Sequence, residues 1–324
     1  MHSVRRLCDR IEPISLIPGP TAPGWRIAVS RFDDGETVSG RGPTAEAATL
    51  SCLGEAAELL SARRREPDRR FPARDALSGS ATLVEADAVT IADLACIEDP
   101  GTEGLGAGES LAEAELKAVL ERIERHHAAL WWTGRGHAER LSMGWLARAG
   151  LLGEIEAARR GAIEPRVTEA LVIGRAGPAS SVVAVSRRPD GRRPVLGIAA
   201  GLGAAEAARS AVSELFQMEL ALVIAEHVAD HGDPGQHRAI LDRAMALEGP
   251  MASLLDGPEA EPQPEAEPED TPGAALEDAV RALGQPVLLV DLTRVDIGVP
   301  VARAHAPGLA STRRLKFTAK IAPM

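Results

Sequence analysis

Apolar positions follow two rhythms along this chain. In "WRIAVSRFDDGETVSGRG" (25–42) and "SVVAVSRRPDGRRPVLGIAAG" (181–201) they alternate or cluster over short stretches broken by Asp34-Gly35 and Pro189-Asp190-Gly191. That pattern predicts strand, tight turn, strand and a glycine exit in each. In "SLAEAELKAVLERIERHHAALWW" (110–132) apolar residues recur at helical spacing instead. Two further strands are expected over 287–292 and 299–305, in "QPVLLVDLTRVDIGVPVARAHAPGL".

Aligned without gaps, 42–58, 108–124 and 201–217 show a repeat. Gly42, Gly108 and Gly201 coincide, as do Ala48, Ala114 and Ala207, then Glu55, Glu121 and Glu214. The last column holds Glu58, Glu124 and Gln217. Each segment enters a helix, with Thr44 and Ser110 as expected N-caps. The first and third follow a strand pair; the middle one follows the apolar runs "ATLVEADAVTIADLA", whose hairpin is less clear. Two strands plus a helix, used roughly three times, predict an α+β architecture of mixed and antiparallel sheets packed with alanine-lined helices, in a single domain spanning 1–324.

The repeat places carboxylates where the helices have little polar surface to spare. Glu121 and Glu124 are one turn apart, and Glu113, eight residues before Glu121, returns to within about 80° of it. Glu55 and Glu58 do the same on the first repeat helix. A solvated face explains most glutamate-rich helices, but here the intervening residues are mostly apolar, so some of these groups point inward. Buried carboxylates need a partner or a cation. Clustered glutamates without cysteine suit a hard ion such as Mg²⁺, which commonly carries a phosphate substrate. No GxxxxGK[ST] occurs, and no GxGxxG leads from strand to helix. "GLGAGES" (104–110) is a glycine-rich helix entry able to face an anion.

Composition narrows the rest. A formal charge of −11 argues against a general nucleic-acid binder. Cys8, Cys52 and Cys96 form no CxxC pair, which points to neither a zinc ribbon nor a disulfide framework. No apolar run is long enough for a bilayer, so a cytoplasmic location without membrane attachment is expected. "GPEAEPQPEAEPEDTPG" (257–273) is acidic and proline-rich and reads as a disordered insertion. "ARRREPDRRFPAR" (62–74) reads as a basic loop, solvated or contacting phosphate or an acidic peptide. His227 and His231 stand at i and i+4 without an evident third ligand, and an exposed or capping role is expected. Packing is expected of Trp131, Trp132 and Cys52, while His126 and His127 read as packed or solvated.

Four ordered segments resemble the YcaO proteins, ATP-dependent enzymes that activate backbone amides of ribosomally made peptides. "GRGPTAEAATLSCLGEAAE", "GAGESLAEAELKAVLERIERHHAALWW", "GLGAAEAARSAVSELFQ" and "IGVPVARAHAPGL" are similar to that family's signatures. The resemblance implies a YcaO-like fold and a Mg²⁺-ATP site. Ser51 would contact nucleotide; Glu55, Glu58, Glu113, Glu121 and Glu124 would hold metal; Arg125 and Arg303 would act on the phosphates catalytically. Glu109 stands where the family often has Asn, and its part in nucleotide binding stays open. Glu214 and Gln217 are either structural or supports behind the metal ligands.

The implied reaction is attack on a backbone carbonyl by a neighbouring Cys, Ser or Thr, phosphorylation of the resulting oxyanion, and loss of phosphate to leave an azoline. Thioamide or amidine formation is the alternative outcome. The azoline-forming branch often ends in a proline-rich tail, whereas this chain ends "KFTAKIAPM". The resemblance further implies a precursor peptide, a separate leader-binding protein, room for a flavin-dependent azoline dehydrogenase, and a homodimer left open. The rival reading from another class is a lapsed scaffold subunit, against which the retained carboxylates speak.

Overall fold

The computed structural model describes residues 6–65, 69–92, 101–233, 235–249, 251–262 and 271–313. Strands β1 (Ser15–Pro18), β2 (Arg26–Arg31) and β3 (Thr37–Gly42) form an antiparallel sheet in that order, covered by helix α1 (Ala45–Ala62). Then come β4 (Arg70–Asp75), β5 (Ala81–Glu85), β6 (Leu105–Ala107) and the long helix α2 (Leu111–Trp132). Strand β7 (Glu139–Leu141), helices α3 (Met143–Arg148) and α4 (Leu151–Arg159), and strands β8 (Val167–Ala176), β9 (Ala179–Arg187) and β10 (Val195–Leu202) follow. Helices α5 (Ala204–His231) and α6 (Arg238–Glu248), strand β11 (Glu259–Ala260), helix α7 (Pro272–Leu283) and strands β12 (Leu288–Asp291) and β13 (Val301–His305) complete the described chain.

One five-stranded sheet runs β10-β9-β8-β7-β11 and is mixed, because β11 joins β7 in parallel. The other runs β5-β4-β12-β13-β6 and is antiparallel throughout. The architecture is therefore α+β. Thr44 and Ser110 cap α1 and α2 by accepting from the N–H groups of Ala47 and Glu113. Gly35 and Gly191 turn the two hairpins with φ of 87° and 84°, a region that suits glycine.

The glycine–alanine columns record how close strand and helix lie. A Cβ on Gly42, Gly108 or Gly201 would sit 2.9, 2.7 or 2.7 Å from the backbone nitrogen of Ala48, Ala114 or Ala207. Those three alanines have no exposed surface. Only hydrogen and methyl fit at this contact, which is why the same letters recur at all three crossings.

Three expectations change. The middle unit is not a local hairpin: β6 pairs with β13, with Ala107 opposite Val301 and Leu105 opposite Arg303. The basic stretch is only partly a loop, since Arg70–Asp75 is strand β4 and its arginines meet carboxylates within the chain. Arg65 meets Asp296 at 3.1 Å, Arg70 meets Glu85 at 2.7 Å and Arg74 meets Glu115 at 2.6 Å. Both ends of the acidic stretch 257–273 are structured, where the whole of it was expected to be disordered. Glu259–Ala260 is a strand, Glu261 accepts from Ser142 at 2.8 Å, Thr271 caps α7 and Pro272 is its first residue. Residues 263–270, its centre, lie outside the described residues.

Candidate functional site

Two repeat helices bring their glutamates to one place, and each carboxylate is fixed by a backbone donor or a guanidinium. Glu55 on α1 accepts from the Ser39 N–H at 3.1 Å, and Glu58, one turn on, from the Ala107 N–H at 2.8 Å. From α2, Glu121 accepts from the Leu105 N–H at 2.8 Å and lies 3.4 Å from Arg125 Nε. Glu124 is buried 3.3 Å from Arg125 Nη2. Arg303, on β13, is 2 % exposed; it donates to the Gly101 carbonyl and its charge acts on Glu121. Glu121 and Arg125 remain partly exposed, so a ligand can reach the cluster.

The third repeat helix contributes a supporting grid. Arg41 donates to Gln217 at 3.0 Å and to Glu214 at 3.2 Å, and Gln217 donates onward to Ser39 Oγ at 2.7 Å. Gln217 thus steadies the strand whose Ser39 N–H holds Glu55. Of the two readings left open for Glu214 and Gln217, the geometry matches support. Ser39 and Arg41 had no assigned role in the sequence; Arg41 was visible only as the basic residue of the glycine exit.

These carboxylates are held together against their own charge. Burial, then repulsion from Glu121, pushes Glu58 up to about 8. Burial likewise pushes Glu124 up to about 8, opposed by Arg125 and reinforced by Glu214 and Glu121. Glu55 and Glu121 are raised too, burial being the largest cause in each. Beside Glu124, Arg125 grips its proton more firmly than a free guanidinium.

Hard oxygen donors whose charge lacks compensation fit Mg²⁺. Glu124 Oε1 is buried and meets Arg125 as an ion pair at 3.3 Å, but among the described residues it accepts no hydrogen bond, leaving a lone pair available to an ion. Among the described residues no three acidic, histidine or cysteine side chains enclose a metal. Mg²⁺ does not require such a cage, because it binds through one or two carboxylates together with phosphate and water.

Two glutamates stand apart from this cluster. Glu113 accepts from the Glu109 N–H at 2.9 Å and pairs with Lys117 at 2.7 Å, its side chain 37 % exposed. In the third repeat, Glu206 occupies the same column and makes the same bond, accepting from the Leu202 N–H at 2.9 Å. Glu113 is a helix-entry residue in this structure, a role the face argument overlooked because capping needs only the first turn. Glu109 is exposed at that entry. Ser51 opens onto a cleft of about 660 Å³ beside the cluster, lined also by Trp25, Arg41, Arg209 and Ser210. Ser51 and Ser210 share a repeat column.

Of the remaining candidates, His126, His127, Trp131, Trp132 and Cys52 are packed, and His227 and His231 lie at the surface. His126 accepts from the Ala310 N–H at 3.0 Å through Nδ1, and His127 sits 2.8 Å from Ser181 Oγ, burial pushing it down to about 4. His231 Nδ1 lies 2.7 Å from the carbonyl of His227, and both are surface residues. Trp131 and Trp132 are buried. Cys52 is buried and its thiol is pushed up to about 11, which makes it a poor nucleophile.

The family model described as YcaO cyclodehydratase, ATP- and Mg²⁺-binding, matches residues 71–310. The chain belongs to the YcaO family. Solved structures share the fold at low identity. A heterocyclase in complex with substrate and cofactor superposes with a TM-score of 0.77 at 19 % identity, covering 96 % of this chain and 52 % of that one. The chain therefore spans about half the length of that heterocyclase. The YcaO protein of Methanopyrus kandleri, bound with AMPPCP and Mg²⁺, gives 0.72 at 19 %, covering 95 % and 88 %. A chain of the E. coli microcin synthetase McbBCD complex gives 0.66 at 13 %, covering 91 % and 88 %. No curated protein matches.

Proposed function

We propose that this YcaO chain uses Mg²⁺ and ATP to activate a backbone amide in a ribosomally made precursor peptide, closing an azoline from a Cys, Ser or Thr. The observation that carries this reading is the cluster of Glu55, Glu58, Glu121 and Glu124, with Arg125 beside Glu121 and Glu124, Arg303 acting on Glu121, Arg41 acting on Glu55, and the Ser51 cleft alongside. ATP, when bound, supplies the phosphoryl group that converts the amide oxygen into a leaving group.

Glu55, Glu58, Glu121 and Glu124 would hold Mg²⁺, one or two carboxylates to each ion, and Glu58 and Glu124 would give up protons to do so. Arg125 and Arg303 offset charge that builds on the phosphates. Ser51 offers a hydroxyl to the nucleotide within the cleft, and Arg41 lies between cleft and cluster. Glu109 and Glu113 remain at the helix entry, and any contact they make with nucleotide comes from the rim. Support comes from the AMPPCP and Mg²⁺ bound by the Methanopyrus relative. The heterocyclase complex and the microcin synthetase assembly support a peptide substrate and a multi-subunit setting.

A separate leader-binding protein is the partner this reading needs, and a flavin-dependent dehydrogenase would oxidise the azoline. The C-terminal segment 314–324, on which the choice among azoline, thioamide and amidine bears, lies outside the described residues. Among those described, no helix is long and apolar enough to cross a membrane, and a cytoplasmic site of action is proposed. The test is calorimetric titration with AMPPCP, with and without Mg²⁺. Binding that requires Mg²⁺ supports the reading, and a folded chain that binds no nucleotide in either condition overturns it. The product is then read by mass spectrometry as loss of one water per ring.

A further inference from the structure

The cleft beside the carboxylates, at about 660 Å³, has the size of a site for a whole small molecule, and part of its wall is an aromatic ring. Strand β2 pairs Arg26 with Gly42, which sets Trp25 next to the Gly42–Pro43 exit. Ser51 lies about two turns into α1 and lines the same cavity. One cleft therefore joins a hydroxyl beside the carboxylate cluster to an indole.

That indole is held in place by its neighbours. Its N–H donates to Ser213 Oγ at 3.2 Å, and its ring meets Phe216 edge-on, with centroids 5.4 Å apart. The backbone N–H of Trp25 donates to the Ala22 carbonyl at 3.0 Å, and that of Gly24 donates to Ala158 on α4 at 2.8 Å. A Cβ on Gly24 would lie 2.8 Å from the Ala157 carbonyl oxygen, so this loop presses directly on α4. Trp25 stays half-buried, a fixed apolar plane in the cleft wall. Ala47, Ala157 and Ala158 add only methyl groups to that wall, which leaves room for a flat ring. Nearer the surface, Glu154 accepts from Arg209 Nε at 3.0 Å, setting an acceptor next to a donor where the edge of a heterocycle can meet both.

We propose that Trp25 is the platform on which the base of the bound nucleotide stacks, its phosphates lying towards Ser51 and the carboxylates. The assignment rests on the nucleotide-binding reading and adds to it the residue that recognises the base. Three phosphates alone engage the Ser51 end and the metal; the base engages the indole. Every base has a π face, so stacking supplies affinity whichever base is present. Ser213 and Phe216, one turn apart on α5, are positioning residues that keep the ring in the wall.

Calorimetry with Mg²⁺ present compares AMPPCP with tripolyphosphate, a chain of three phosphates without a base. The wild type is set beside Trp25→Leu, Trp25→Phe and, as a control, Trp145→Phe, a buried tryptophan outside the cleft. In Trp25→Leu the affinity for AMPPCP is expected to fall about tenfold or more, while that for tripolyphosphate is unchanged. Trp25→Phe keeps a π face and should retain most of the AMPPCP affinity, and Trp145→Phe all of it. If Trp25→Leu melts early, tryptophan fluorescence decides: AMPPCP quenches the wild type, tripolyphosphate does not, and Trp25→Phe loses the quenching. Equal loss for both probes in Trp25→Leu, unchanged AMPPCP affinity in the folded variant, or quenching that persists in Trp25→Phe overturns the platform alone. A wild type that binds no AMPPCP overturns the nucleotide reading, and the platform falls with it.

Discussion

Glu121 and Glu219 are both inward-facing glutamates on long repeat-type helices, yet their surroundings answer their charge in opposite ways. Glu219 is buried among donors from distant parts of the chain. Arg159 donates to both its oxygens, at 2.8 and 3.1 Å, and Arg166 lies 3.4 Å away. The hydroxyls of Thr21 and Ser186 complete the set. Around Glu121 the cations are fewer than the carboxylates: Arg125 serves both Glu121 and Glu124, Arg303 acts on Glu121 and Arg41 on Glu55, and Glu58 and Glu124 are pushed up to about 8. One region closes its electrostatics within the fold and ties α4, α5 and β9 together. The other leaves charge for something from outside to complete.

The comparison is broken most severely at Glu219. Glu219→Ala takes from the interior Arg159 the carboxylate that answers its charge and should cost about 3–5 kcal/mol of stability, read by denaturant unfolding. Glu121→Gln should do the reverse. It relieves a crowded buried charge, so the melting temperature holds or rises, while Mg²⁺-dependent AMPPCP affinity measured by calorimetry falls about 100-fold or more. A parallel loss of stability in Glu121→Gln would erase the distinction.

The pH dependence sharpens it further. The folded-state pKa values of Glu58 and Glu124 lie above the ordinary carboxylate value, so the native chain binds more protons than the unfolded one between about pH 4.5 and 8. Stability of the ligand-free chain from these groups is present below that window and is lost as pH rises through about 8. Affinity for Mg²⁺ with AMPPCP should move the other way, rising with pH as the carboxylates give up their protons. Melting curves at pH 6 and 8, with and without the ligand, check both signs. The smallest effect is expected at Ser186→Ala, about 1–2 kcal/mol, because Glu219 keeps its arginines and Thr21.

The half-built region was the more legible one from sequence. Its carboxylates sit at fixed offsets from glycine and alanine columns, and local helical geometry was enough to put Glu55 with Glu58 and Glu121 with Glu124. Thr44, Ser110 and the Asp34-Gly35 turn were legible for the same local reason. What the sequence hid depends on partners far along the chain. Arg41 finds Gln217 across 176 residues, and Thr21 finds Glu219 across 198. Neither arginine nor threonine carries any local sign of such a match. Glu113 was grouped with the cluster by helical face and by the resemblance, and its neighbour Lys117 and its counterpart Glu206 were the local signs of its helix-entry bonds. The basic stretch misled because the acids that absorb it, Glu85, Glu115 and Asp296, are dispersed.

The pairing of β6 with β13 has a consequence for the order in which the molecule comes into being. Glu55, Glu58, Glu121 and Glu124 are made long before Val301–Arg303, the segment that gives β6 its sheet neighbour and brings Arg303 to Glu121. At ordinary rates of synthesis that delay is roughly 10–40 s. Through that interval a nascent chain carries the acidic half of its centre without the cation that completes it. The cluster is therefore complete only once β13 has been made.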